Sequence, residues 1–179
     1  MKSVLFILLL LISTLAAAEK REAIVVKVED GDTLLVNISG TEERIQLLGI
    51  DAPEDRRNPK FEVDLKRTGL DAERLLALGK AATTHLRSLL QPGQKITLAG
   101  DLGTRDRYDR LPAEAFAPSG LSLNVAMVAD GYARVLPSDG SPQALRQRLE
   151  AVWMQVNQNR PGLWTSQSSA FAAWLSAQR

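Results

Sequence analysis

Cysteine is absent from the 179 residues, which excludes disulfides and thiolate metal sites. Histidine occurs once, at His85, so zinc sites built on several imidazoles are excluded as well. Any metal must be held by oxygen, which points to a hard cation such as Ca²⁺ or Mg²⁺. Charge of one sign is also scarce. The net charge of +1 does not argue for a polyanion partner, although a local basic patch remains compatible with one. Aromatic residues make up 5%, and Trp153, Trp164 and Trp174 are too widely spaced for a stacking platform, so packing in core and tail is expected. The apolar run at residues 4–12 falls well short of the ~20 residues that a membrane-spanning helix needs. It follows Lys2 and precedes Ala16 and Ala18, the pattern of a secretory signal peptide cleaved after Ala18. The product is therefore expected to be secreted or periplasmic, with no stable membrane span after processing.

What is present suits one globular domain: a hydrophobic fraction of 45% and a charged fraction of 24%. The expected division is residues 1–18 as signal, 19–166 as domain and 167–179 as a tail that forms a short helix. Residues 23–28 alternate and are rich in valine, Asp30-Gly31-Asp32 interrupts them, and residues 34–36 resume the pattern as a hairpin. Ser39-Gly40 marks a second turn, and residues 44–50 read as a third strand. Residues 55–69 are polar and lack periodicity, and read as a loop. Asp71 is a candidate N-cap for a helix with Leu75, Leu78, Ala82, Leu86 and Leu89 on one face. Strands follow at 95–98 and 111–116. A short helix spans 123–130, and Ser141-Pro142 opens a longer one as N-cap and first residue. Three strands, a helix, two strands and two helices fit a small α+β Greek-key barrel of the OB type. An open α+β sheet gives the same string.

Two acidic positions stand at element ends, where a scaffold can bring them together. Asp32 follows a tight turn and Asp51 ends a strand. Converging carboxylates with water suit Ca²⁺. Each motif alone is ordinary turn chemistry; their order within one hairpin-sized interval is the signal.

Val28-Glu29-Asp30-Gly31-Asp32-Thr33-Leu34, Leu48-Gly49-Ile50-Asp51-Ala52-Pro53-Glu54 and Arg105-Asp106-Arg107-Tyr108-Asp109-Arg110-Leu111 resemble the thermonuclease (staphylococcal nuclease-like) family. So do Leu121-Ser122-Leu123-Asn124, Asp130-Gly131-Tyr132-Ala133 and Gly162-Leu163-Trp164. The resemblance implies a five-stranded OB barrel with three helices and Ca²⁺-dependent hydrolysis of DNA and RNA phosphodiesters by a monomer holding one ion. It assigns Asp32, Asp51 and the Ala52 carbonyl to the metal, Asp30 to its surroundings together with Thr33 and Gln46, and Glu54 to the general base. Arg110 matches a phosphate-stabilising arginine, and Arg107, Tyr108 and Tyr132 match or adjoin substrate contacts.

One departure stands out. The family's other catalytic arginine falls at Gln46, which can donate a hydrogen bond but carries no charge. Arg44 shares that strand face about 6.5–7 Å further along and is the candidate stand-in. A positioned arginine can supply ~10³–10⁵ in phosphoryl-transfer rate. The alternative is accordingly a catalytically weakened nuclease-fold module that binds nucleic acid or protein. Asp109, where the family usually has glycine, is a further departure: the alternatives are that it pairs with Arg107 or that it weakens local phosphate affinity.

Overall fold

The computed structural model describes residues 19–137 and 140–177. The expected signal peptide lies outside them. The strands are β1 (Glu19–Val28), β2 (Thr33–Ile38), β3 (Thr41–Leu47), β4 (Ile50–Asp51), β5 (Lys95–Gly100), β6 (Leu111–Phe116) and β7 (Arg134–Val135). The helices are α1 (Pro59–Thr68), α2 (Ala72–Leu89), α3 (Leu123–Ala129), α4 (Gln143–Asn159), α5 (Leu163–Ser166) and α6 (Ser168–Ser176).

Five strands close into a barrel in the order β1-β2-β3-β6-β5. All neighbours are antiparallel except β3 and β6, which run parallel. This is the OB-type closure expected from the sequence, and it rules out the open sheet. β1 pairs with β2 at one end and β5 at the other, with a register shift between Val25 and Lys27 where the strand changes partners. Strand alternation puts Leu34, Val36, Ile45, Leu47 and Leu98 inside at 0% exposure. Each contributes roughly 1.5–3 kcal/mol on burial.

The helical complement exceeds the expected three: five helices of at least seven residues and the four-residue α5. Residues 55–69 are not a loop throughout, because α1 occupies most of them. Its start is ordinary capping chemistry: the Asn58 side chain accepts from Phe61 N at 2.8 Å, and Pro59 opens the first turn. The Asp71 cap is present, accepting from Arg74 N at 2.8 Å. α4 starts at Gln143 with Pro142, rather than Ser141, in the cap position. The third strand stops at Leu47, because Gly49 at φ 86° turns the chain before β4.

α2 serves two cores. Ala82 and Leu86 pack on the barrel, whereas Leu75 and Leu78 face a second cluster. That cluster joins Phe61 of α1 to Leu163 of α5 and to Ala170, Phe171 and Trp174 of α6. The expected short terminal helix is present as α6, and Trp174 is fully buried in it.

Candidate active site

The β1–β2 turn presents Asp32 at one end of the barrel. Leu47 N donates to Asp32 O at 2.8 Å, which holds the turn to the end of β3. The side chain reaches back to the segment after β4, where Ala52 N donates to Asp32 Oδ2 at 2.9 Å. Gly31 makes this approach possible. A Cβ there would stand 2.7 Å from Ala52 Cβ and 2.8 Å from Ala82 Cβ. A second glycine serves Glu54: a Cβ on Gly79 of α2 would lie 2.1 Å from the Glu54 carbonyl oxygen.

Asp30, Asp32 and Asp51 are all buried. Burial first, then the charges of Asp30 and Asp51, push the Asp32 carboxyl well above its usual value. Such a cluster demands a cation, and Lys60 of α1 supplies one. Its Nζ lies 3.1 Å from Asp51 Oδ1, 3.1 Å from Glu54 Oε1 and 3.4 Å from Asp64 Oδ2. It also donates to the Ala52 carbonyl at 3.4 Å. Burial works against this charge, but Asp51, Glu54 and Asp64 outweigh it and raise the Lys60 pKa. Arg134 of β7 sits across from Asp51 in the β4–β7 pair; its Nε donates to Asp51 Oδ2 at 2.9 Å, and Nη2 pairs with the same oxygen at 2.9 Å. Asn58 Nδ2 donates to Glu54 Oε2 at 2.6 Å, so both Glu54 oxygens are held.

The opposite wall comes from the segment before β6. Asp106 Oδ1 accepts from the backbone N–H of Tyr108 (2.8 Å) and Arg110 (2.9 Å), which folds the turn. Asp106 Oδ2 takes Arg110 Nε at 2.9 Å. Burial raises the Asp106 carboxyl, but the Arg110 backbone and guanidinium donors prevail and lower it. Arg110 Nη1 also donates to Thr33 Oγ1 at 3.1 Å, and Thr33 donates to Asp32 Oδ1 at 3.1 Å. Arg110 is thus wired to the acid cluster. Asp109 has φ 60°, a left-handed conformation that explains why glycine is usual there. It pairs with Arg105 at 3.4 Å rather than with Arg107.

Between these walls lies an open cavity of about 910 Å³. Asp32, Asp51, Glu54, Gln46, Arg107, Tyr108 and Arg110 all line it, as do Lys60 and Arg134. Arg107 and Arg110 flank the half-exposed Tyr108 ring at 4.8 and 5.2 Å. Of the expected residues, Arg44 and Tyr132 stand away from the cavity lining, while Asp30 stays beside Asp32. Arg44 turns to Glu29, Nε to Oε2 at 2.7 Å, and does not line the cavity. Glu29, just past the end of β1 in the β1–β2 turn, lies within reach and captures the charge. Tyr132 stacks on His85 with centroids 4.1 Å apart. Asp30 accepts from Asp32 N at 3.3 Å and pairs with Arg56 at 3.1 Å.

The chain matches the family described as staphylococcal nuclease homologue over residues 44–166. It belongs to that family. Among curated relatives, it is 31% identical over 154 residues to "Endonuclease YhcR" of Bacillus subtilis, covering 83% of this chain and 12% of that protein. It is 30% identical over 148 residues to an "Uncharacterized endonuclease" of Escherichia coli O157:H7, covering 78% and 82%. A "Thermonuclease" of Staphylococcus intermedius is 30% identical over 111 residues, covering 62% and 57%. The chain therefore spans only a small part of the first of these relatives. Together these likenesses make this staphylococcal nuclease homologue a nuclease-type domain.

The donor set around Asp32 fits a hard divalent cation. It is all oxygen, it is short of positive charge, and an ammonium already spans Asp51, Glu54 and the Ala52 carbonyl. Among the described residues no three acidic or histidine side chains form a ready cage. Asp32, Asp51, the Ala52 carbonyl and water would have to share the ion.

Lys60, Asp64, Asp106, Arg134 and Trp174 come together in the fold with no sequence motif that marks them as one group. Lys60 was only one basic residue among several in residues 55–69. The Asn58-Pro59 helix start was the available clue to its placement.

Proposed function

We propose that the chain is an exported, Ca²⁺-dependent endonuclease that hydrolyses phosphodiester bonds of DNA and RNA. The reading rests on one observation: acids, a carboxylate base and arginines converge on the same cavity. Export is supported by the apolar run at residues 4–12 with Ala16 and Ala18 after it.

A cation held by Asp32, Asp51 and the Ala52 carbonyl would offset the charge of the scissile phosphate. Glu54 accepts a proton from the attacking water, a contribution typically worth ~10²–10⁴. The new P–O bond forms as the ester P–O bond on the far side breaks, and the departing oxygen takes a proton from solvent water and leaves as the alcohol. Arg110 donates to phosphate oxygens as charge gathers on them. Arg107 and Tyr108 hold the neighbouring nucleotide, the ring offering a stacking face. Asn58 keeps Glu54 oriented through one oxygen and leaves the other to act once Lys60 withdraws.

The test is cleavage of plasmid DNA and of an RNA oligonucleotide by purified protein. Both should be cut with Ca²⁺, cutting should stop with chelator, and Glu54→Gln should lose at least ~100-fold. Parental activity in Glu54→Gln refutes the assigned base.

A second reading, a weakened module that binds without turnover, draws on Gln46 and on Lys60. Gln46 Oε1 is buried with no hydrogen-bond partner among the described residues. The Lys60 ammonium covers the oxygens that a metal needs. Binding of an oligonucleotide with no cleavage at any Ca²⁺ concentration would select this reading.

A further inference from the structure

We propose that Arg134 is the second phosphate-binding arginine of this site, taking the role left open at Gln46. The inference rests on the nuclease reading above. Gln46 lies beside Thr33 in the β2–β3 pair and lines the cavity, but it brings no charge. Arg44, on the same strand, is held by Glu29. Arg134 lines the cavity from β7, a different sheet, together with Arg110 on β6's approach.

Three features suit Arg134 to the task. Nε donates to Asp51 Oδ2 and Nη2 pairs with the same oxygen, so the guanidinium is fixed against a candidate metal ligand. Nη1 has no acceptor among the described residues, leaving donors for a phosphate oxygen. Finally, the Trp174 ring lies 5.7 Å from Arg134 Cζ. Trp174 is itself fully buried and donates Nε1 to Asp64 Oδ2 at 3.2 Å. The arm is thus backed by packed structure, the preorganisation that transition-state electrostatics require. Arg110 differs: Nε and Nη2 go to Asp106 and Nη1 to Thr33. The two arginines approach the cavity from different elements.

The experiment measures kcat and KM on a labelled oligonucleotide with Ca²⁺, and Ca²⁺ affinity by calorimetry. The proteins compared are the parent, Arg134→Met, Arg134→Lys and Arg134→Met combined with Gln46→Arg. Arg134→Met should lower kcat at least ~100-fold while folding and binding Ca²⁺ as the parent does. Adding Gln46→Arg should restore at least ~10-fold, because it returns a guanidinium to the same phosphate from another strand. Arg134→Lys keeps the charge beside Asp51 but loses the planar fork. It should be slowed about 10-fold, and it keeps the test alive if methionine prevents folding. Parental kcat in either single variant overturns the proposal and leaves the nuclease reading standing. A slow Arg134→Met that loses Ca²⁺ affinity, or that Gln46→Arg does not rescue, also overturns it, since Arg134 would then only support Asp51. A parent that never cleaves defeats the nuclease reading, and the proposal with it.

Discussion

Replacing Gly79 by alanine should disable the site from behind. Gly79 is buried in α2, and its missing side chain leaves room for the Glu54 backbone. An alanine Cβ would stand 2.1 Å from Glu54 O, 2.2 Å from Glu54 C and 2.5 Å from Asp55 N. The first falls about 1.3 Å short of ordinary contact, which begins near 3.4 Å. All three obstacles are backbone, so no side-chain rotation relieves them. Either α2 moves away from two cores at once, or the Glu54 segment moves by about 1 Å. The second is the softer path, and a displacement of that size costs ~100-fold in rate. Stability should change much less. Overpacking costs about 1–3 kcal/mol, while alanine gains roughly 1 kcal/mol over glycine within a helix. At about 2–4 °C per kcal/mol, the melting temperature should fall by no more than ~8 °C. Thermal melts and initial cleavage rates, measured on the same preparation, separate the two effects. A Gly79→Ala protein that cleaves within about 2-fold of the parent would refute the claim that this contact sets the position of Glu54.

Lys60→Met should bind Ca²⁺ about tenfold more tightly by calorimetry, because the ion would no longer displace an ammonium from Asp51 and the Ala52 carbonyl; equal or weaker binding counts against that competition. Trp174→Ala should cost about 3–5 kcal/mol, lowering the melting temperature by roughly 6–20 °C, and a loss under ~1 kcal/mol would show α6 to be dispensable. Asp106, whose carboxyl is lowered in the fold, adds stability that is full above its usual value of 3.8 and is lost as pH falls through the lowered value. The stability gap between the parent and Asp106→Asn should therefore close on acidification below ~4, and a gap constant with pH would contradict the Arg110 pairing.

The strands are legible because they obey a short-range rule, whereas their closure into a barrel is not, since an open sheet shows the same alternation. Alternation in 34–38 and 95–98 survives into buried Leu34, Val36 and Leu98. α1 was hidden because its buried face is small, essentially Phe61 with the polar Asp64, in an otherwise charged stretch. β7 is two residues long, too short for any period to declare itself. The site divides in the same way. Asp32, Asp51, Glu54 and Arg110 could be named in sequence because they sit in ordered motifs, and all four line one cavity. Lys60 and Arg134 reach it only through helix docking and strand pairing, and Trp174 backs them from the second core. Shared strand face alone points Arg44 toward the cavity, and that rule is silent about a carboxylate waiting in the β1–β2 turn.

The hydrogen bond between Trp174 and Asp64 joins residues 110 positions apart. During synthesis, residues 32–54 emerge long before the indole that backs Lys60 and Arg134. Until α6 arrives, the wall of the cavity formed by α1 lacks its support, and the two cations lack the ring that steadies them. A growing chain still attached to its messenger therefore carries every acid of the site without the finished site. For a domain of nuclease type, that order of assembly leaves the α1 wall of the cavity unbacked until α6 has docked.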